Sequence, residues 1–423
     1  ALMLGLVGVR YLLVPQLDNL RPYLEQKITE QTGLHVQMQE LKGSWQGWNP
    51  HLSITQLSVT EPGQAPMLQL PSLQAVISWK SLFSGSLQLR QLDVQGLTIP
   101  IRRDSQGQIL VMGQRLDMND DSVDTSPQAW QGPVRWLLQQ RGVRIQGTSL
   151  QWQDDLRGAP ALKLPSIELQ IGYRQGWHEV GLATALPTNL GESVALALRV
   201  QGQRRLPEHV DVMGLPWEMT VQAKAVDTPA LRPWLDIPAA LDRAWVDLHA
   251  QASQADAAPS IQMQLLAQLR DLAVRTEHEE RVQLEHAVVE LEGSLSDMQA
   301  LVQGKASDDV QWAVTMDGLG LRIPDLFAQH VGVDQLKAQG TAHRDELARL
   351  GLNTMMVNVR NADLDAQLSG NWREDGQFEA GVADWTGQFQ YLNLAALVNY
   401  LPLTVTPLAR EWMQAGLVQG AVT

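Results

Sequence analysis

The sequence predicts a mainly β protein, an extended antiparallel sheet in which successive hairpins repeat one pattern. Three observations lead there. Apolar residues alternate with polar ones through almost everything after Gly33. The phrase "APMLQLPSLQAVISW", Ala65 to Trp79, returns as "APALKLPSIELQIGY", Ala159 to Tyr173. No long helical pattern is interleaved with the strands, which argues against a doubly wound α/β enzyme fold.

Composition sets the bounds. With 423 residues, 44% apolar and 18% charged, the chain can bury a large core and is not of disordered type. The formal net charge of -14 argues against nucleic acid, whose affinity comes from Lys and Arg replacing condensed counterions. The absence of cysteine removes disulfides, thiol nucleophiles and thiolate metal sites, and it fits an oxidising compartment.

The elements follow in order. "ALMLGLVGVRYLLVP" is apolar over residues 1–14 except for Arg10, and it is expected to be the C-terminal part of a transmembrane helix whose beginning precedes Ala1. A full crossing needs about 20 residues at 1.5 Å each. Residues 15–33 continue as an amphipathic helix with Leu17, Leu20, Leu24 and Ile28 on one stripe, closed by Gly33. Residues 34–112 then form a first β segment. An acidic flexible loop, 113–132, containing "LDMNDDSVDTSPQAWQG", separates it from a repetitive β segment over 133–423 that is expected to be truncated at its C-terminal end.

Within the β segments, Leu68, Leu70, Leu73, Ala75 and Ile77 alternate with one slip at Pro71-Ser72. Such a slip reads as a β-bulge or bend. Leu162, Leu164, Ile167, Leu169 and Ile171 repeat the spacing, and Val282, Leu284, Ala287, Val289 and Leu291 repeat it without the proline. A shorter strand of the same cadence precedes each: Leu52, Ile54, Leu57 and Val59; then Ile145, Gly147, Leu150 and Trp152; then Ala267, Leu269, Leu272 and Val274. Leu87 and Leu89 open a further strand, "LQLRQLDVQGLTIPI". Short capping helices are expected near 229–242 and 393–418, where apolar residues gather ahead of prolines and fresh strands.

Catalytic motifs fail on inspection. "GESVA" at Gly191 lacks the last glycine of a nucleophile elbow and precedes a strand. "HEERV" at His278 has Val282 where a second zinc histidine would stand. "DMNDDS" at Asp117 has Ser122 and Gln128 in place of the glycine and glutamate of a calcium loop. No catalytic residue, metal site or cofactor is expected, and an enzyme acting on lipids or glycans ranks last. The tryptophans, 14 in all, suit boundaries between apolar surface and polar groups.

The stretch "LRPYLEQKITEQTGLHVQMQELKGSWQGWNPHLSITQLSV" resembles the opening of AsmA-like proteins, in their large YhdP branch. It carries a helix ending in Thr32-Gly33, the phrase Gly43-Ser44-Trp45, and the strand start Pro50-His51-Leu52. "SWKSLFSGSLQLRQLDVQGLTIPIRRDSQG" is similar to the same family, with a turn from Leu82 to Gly85 and an exit at Arg102 to Asp104. What the resemblance implies is a curved, taco-like and chorein-like β-groove. It implies a single-pass bacterial inner-membrane protein with its bulk in the periplasm, moving phospholipids to the outer membrane. Its partners would be phospholipid acyl chains, the inner membrane through the N-terminal helix, and the outer membrane through the missing C-terminal part.

The groove lining expected from the alternation is Leu52, Ile54, Leu68, Leu70, Leu73, Ala75, Ile77, Leu87, Leu89, Leu162, Leu164, Ile167, Leu169, Ile171, Val282, Leu284, Ala287, Val289 and Leu291. The alternative is a non-enzymatic scaffold that binds outer-membrane protein precursors through strand edges, with two sheet layers packed on each other.

Overall fold

The computed structural model describes residues 17–32, 35–46, 49–60, 66–78, 89–111, 114–116, 142–204, 214–255, 260–275, 281–323, 327, 329–375, 381–400 and a few positions between 403 and 422. It is predominantly strand, with antiparallel pairing throughout except at one place. The chain divides into two compact units, Ala1–Thr188 with Ser193–Met219, and Asn189–Glu192 with Thr220–Thr423.

Unit 1 holds helix α1 (Leu17–Thr32) and strands β1 (His35–Gln46), β2 (Asn49–Thr60), β3 (Pro66–Ile77), β4 (Leu89–Gln95), β5 (Thr98–Arg103), β6 (Ile109–Val111), β7 (Gln114–Leu116), β8 (Gly142–Asp154), β9 (Ala159–Arg174), β10 (Trp177–Ala185) and β11 (Ser193–Gln201). Neighbours β1 to β4 pair antiparallel, as do β8 to β11. β4 and β5 both lie parallel to β8 in one register, Leu92 opposite Val143 through to Arg103 opposite Asp154. They therefore act as one long strand interrupted at Gly96-Leu97.

Unit 2 begins within β12 (Trp217–Asp227) and continues with β13 (Leu241–Gln254), β14 (Gln262–Arg275), β15 (Arg281–Ser294), helix α2 (Leu295–Val302), β16 (Ser307–Arg322), β17 (Val331–Arg344), β18 (Leu350–Arg360), β19 (Leu364–Arg373), β20 (Val382–Asn393) and β21 (Ala421–Val422). From β13 to β21 each strand pairs antiparallel with the next. α2 starts at Ser294, whose hydroxyl accepts from the Asp297 amide, an N-cap that the strand-like spacing of this region had hidden.

Where capping helices were expected, the first stretch holds only a short 3-10 turn, Pro229–Leu231, while the second holds a 3-10 turn at Leu397–Tyr400 and then α-helical residues at Leu408, Arg410, Glu411 and Gly416. In the first, Pro229, Pro233 and Pro238 leave no uninterrupted run for an α-helix. The run at residues 1–14 and most of the acidic loop 113–132 lie outside the described residues. Among the described residues no helix is long and apolar enough to cross a membrane.

Helix α1 has a specific task. Among the described residues β1 pairs only with β2, so its outer edge would leave backbone groups free to recruit another strand. Side chains of α1 take those groups instead. Arg21 donates to the Met38 and Gln39 carbonyls at 2.5 and 3.1 Å, Glu25 accepts from the Met38 amide at 2.6 Å, and Asp18 accepts from the Leu41 amide at 3.1 Å. Asp18, Arg21 and Glu25 fall at helical spacing on one stripe, so one polar face of the helix seals one strand edge.

Candidate functional site

One face of each unit carries most of the apolar side chains, with exceptions such as the buried Val76, and the slip in the alternation keeps them there. In β2 and β3, Leu57 stands opposite Leu70 and Ile54 opposite Leu73, so both strands skip two residues at the same level. In unit 2 the same matched skip runs across three strands: Leu269 opposite Ala287 and Leu272 opposite Leu284, then Leu284 opposite Leu319 and Ala287 opposite Met316. A strict period of two would have turned half of each strand to the wrong side. The skip prevents that.

On β2, β8, β14 and β16, strands flanking β3, β9 and β15, the skip coincides with a left-handed residue, while those three make it without one. Positive φ occurs at Gln56, Gly96 and Gly147 in unit 1, and at Ala225, Asp271, Gly318 and Thr354 in unit 2. These positions line up. Gln56 faces Pro71 in the β2–β3 register, a Cβ on Gly96 would lie 3.0 Å from the Pro71 ring, and one on Gly147 would lie 3.9 Å from the Gly96 amide nitrogen. The repeated phrase thus marks a crease crossing neighbouring strands, where an extra residue and a left-handed backbone re-aim the side chains.

The expected lining residues can now be placed. Leu70, Ala75, Ile167, Ile171, Leu284 and Ala287 are buried. Leu52, Ile54, Leu73, Ile77, Leu162, Leu164, Leu169, Val282, Val289 and Leu291 are half-buried. Leu68 and Leu89 lie on described strands, but their side chains, like the whole of Leu87, lie outside what is described. Residues of the other parity, such as Gln69, Lys163, Glu168, Gln283 and Glu290, are exposed. In β8 the crease glycine, Gly147, drops out of the expected pattern, and the buried Thr148 takes its place beside Ile145 and Leu150.

At one end of unit 1 this face is closed. Val143 and Ile171 are buried with Leu92, Ile145, Leu169 and Val180 around them and Leu215 laid against the group. His178, fully buried, packs at 4.9 Å against Tyr173 with the rings tilted by 57°, and its Nε2 lies 3.1 Å from the Gln203 carbonyl. Sequence reasoning had not singled out this plug, because its parts come from distant segments. Elsewhere much of the face keeps partial access to solvent, which a core between two packed layers would not.

Unit 2 also holds a shallow concavity of about 690 Å³, lined mostly by polar-parity residues such as Gln264, Glu290, Gln311 and Gln339. It reaches the apolar parity at Leu265, Leu291 and Trp312, which stand opposite one another. Gly191 of the failed elbow motif begins a segment in which Glu192 pairs with Lys224 at 2.7 Å, while residues 117–122 and 278–280 lie outside the description. Among the described residues no three carboxylate or imidazole groups are placed to hold a metal ion.

The site's character is set by its apolar face. A family model described as YhdP protein matches residues 1–299. The chain belongs to the YhdP family. That family, AsmA-like, is associated with lipid transport in the cell envelope and not with catalysis. No curated protein and no solved structure gives a match.

Proposed function

We propose that the chain is part of an inner-membrane-anchored periplasmic bridge that carries phospholipids between the inner and outer membranes, with acyl chains lying on the apolar face and head groups kept in water. The observation that carries this reading is the matched skip. Both units keep one face apolar across a crease at the same level in adjacent strands, and much of that face is only half-buried. A continuous apolar strip with partial access is what an alkyl chain needs, since its transfer from water is favourable at about 0.8 kcal/mol per CH₂. A scaffold recruiting partners through the β1 edge is less well supported, because α1 already occupies that edge.

Photo-crosslinking residues placed one at a time test the lane. Positions 70, 73, 164 and 167 are expected to capture phospholipid in cells, and positions 69, 74 and 163, of the opposite parity, are not. Equal capture at both parities would overturn the reading.

A further inference from the structure

Three arginines end three neighbouring strands of unit 2. Arg275 is the last residue of β14, Arg281 the first of β15 and Arg322 the last of β16. The registers set Arg275 directly opposite Arg281, and Arg281 directly opposite Arg322. With strands about 4.8 Å apart, the row spans about 10 Å. Like charges placed directly opposite one another destabilise a sheet.

Among the described residues, compensation is incomplete. Arg275 pairs with Asp242 of β13 at 3.0 Å. Among the described residues, Arg281 and Arg322 make no ion pair and no side-chain hydrogen bond. All three are exposed. This occurs in a chain with 46 acidic residues against 32 basic ones, so carboxylates are not scarce.

The next rung inward is apolar. Val274 stands opposite Val282, and Val282 opposite Leu321, each one residue from its arginine. A step of one residue is about 3.3 Å along the strand. The arginines point to the polar side, but as strand-terminal residues with long stems they can bring their guanidinium groups around the strand ends. A cationic row beside an apolar row matches an amphiphile with an anionic head, and the planar guanidinium fork suits phosphate oxygens.

We propose that Arg275, Arg281 and Arg322 form a phosphate-binding rim in unit 2 that holds the head-group phosphate of a lipid whose acyl chain lies on the adjacent apolar rungs. The assignment rests on the lane reading above. Its shared chemistry with free phosphate is the tetrahedral oxyanion, so both must be measured.

The test titrates the purified full chain with dihexanoylphosphatidylglycerol, with dihexanoylglycerol as the phosphate-free analogue, and with inorganic phosphate, followed by calorimetry. In the double variant Arg281→Gln/Arg322→Gln, binding of the phospholipid is expected to weaken about tenfold or more, the scale of losing charge-assisted hydrogen bonds. Binding of dihexanoylglycerol should stay the same, and Arg102→Gln, whose arginine is already paired in unit 1, should change neither. The unfolding midpoint of the double variant should hold or rise as repulsion is relieved; a fall would make the row structural and overturn the proposal.

Unchanged phospholipid affinity would overturn it too. Inorganic phosphate binding as tightly as phospholipid would replace the head-group assignment with a free-phosphate site. If dihexanoylglycerol binds neither protein, the lane reading falls and the head-group assignment with it. If it binds both, and the phospholipid does so equally, the arginine row alone falls.

Discussion

In unit 1 the two arginines that end β5 each have their own carboxylate: Arg103 grips Asp154 through two hydrogen bonds, one of them 2.9 Å, and Arg102 reaches Asp155 at 2.5 Å. In unit 2 the rim sets three arginines side by side with one aspartate among them. The creases differ in the same sense. Unit 1 places glycine at two of its three left-handed strand positions, Gly96 and Gly147 beside Gln56, whereas unit 2 places it only at Gly318, beside Ala225, Asp271 and Thr354. Two stretches built on one pattern therefore differ in how fully they satisfy local rules. Charge left unpaired among the described residues and a strained backbone persist where something other than stability selects them, and that contrast is the reason for proposing an anion site in unit 2 and not in unit 1.

The largest expected effect lies in unit 1. Asp154 is covered to 1% exposure, takes both Arg103 hydrogen bonds and accepts from the Arg157 amide at 3.1 Å. Asp154→Asn should cost about 2 kcal/mol, between a surface pair and a fully buried one, because it leaves a half-buried guanidinium without its anion. The Arg103 hydrogen bond, ahead of the opposing effect of burial, holds the Asp154 carboxyl below its ordinary range. The stability it contributes is therefore complete above the unfolded-chain pKa of about 3.9 and is lost as pH falls through the lower folded value. Thermal melts from pH 6 down to 2 should converge for the two proteins at the acid end. Parallel curves would show that Asp154 acts by packing alone.

Much of this was legible beforehand, for a physical reason. Alternation and its slip are local, so the offsets of Leu68 to Ile77 and Leu162 to Ile171 already announced strand, face and bend. The left-handed residues were not legible, because Gln56, Asp271 and Thr354 have no glycine signature. Pairing across long separations was hidden as well: β8 running parallel to β4 and β5, and Arg103 meeting Asp154, depend on register that no short window contains. The same holds for α1. Its leucine stripe drew attention, while the polar stripe of Asp18, Arg21 and Glu25 makes the contacts that seal β1. The arginine row is visible only once three strands are in register.

The creases sharpen the comparison next. Gly147 has φ near 60° and room around it, the nearest atom to an added Cβ being 3.9 Å away, so Gly147→Ala isolates the backbone preference and should cost about 1 kcal/mol. The converse change in unit 2, Thr354→Gly, relieves a β-branched residue held at φ near 48°. It should gain about 0.5 kcal/mol after the extra freedom glycine gives the unfolded chain. The amide of residue 354 can keep its 2.9 Å hydrogen bond to Asn371, since the side chain takes no part in it. Chemical denaturation of the two variants reads both signs. A loss at both positions would mean that the unit 2 crease is not strained.

The smallest effect separates the two rims by sign. Arg102, its side chain 63% exposed, pairs with Asp155, and Arg102→Gln removes an attraction that is screened by water and worth at most about 1 kcal/mol. Arg281→Gln removes a repulsion from both cross-strand neighbours, Arg275 and Arg322, and should stabilise by a few tenths of a kcal/mol. Both effects act between exposed charges, so both should shrink as salt rises from about 0.01 M to 1 M and the screening length falls from about 30 Å to about 3 Å. Unfolding midpoints of the two variants against the parent, taken at low and high salt, should therefore start on opposite sides of zero and close toward it together. If Arg281→Gln destabilises at low salt, the row is already neutralised within the chain, and the difference between the rims disappears along with the reason to expect an anion at one of them.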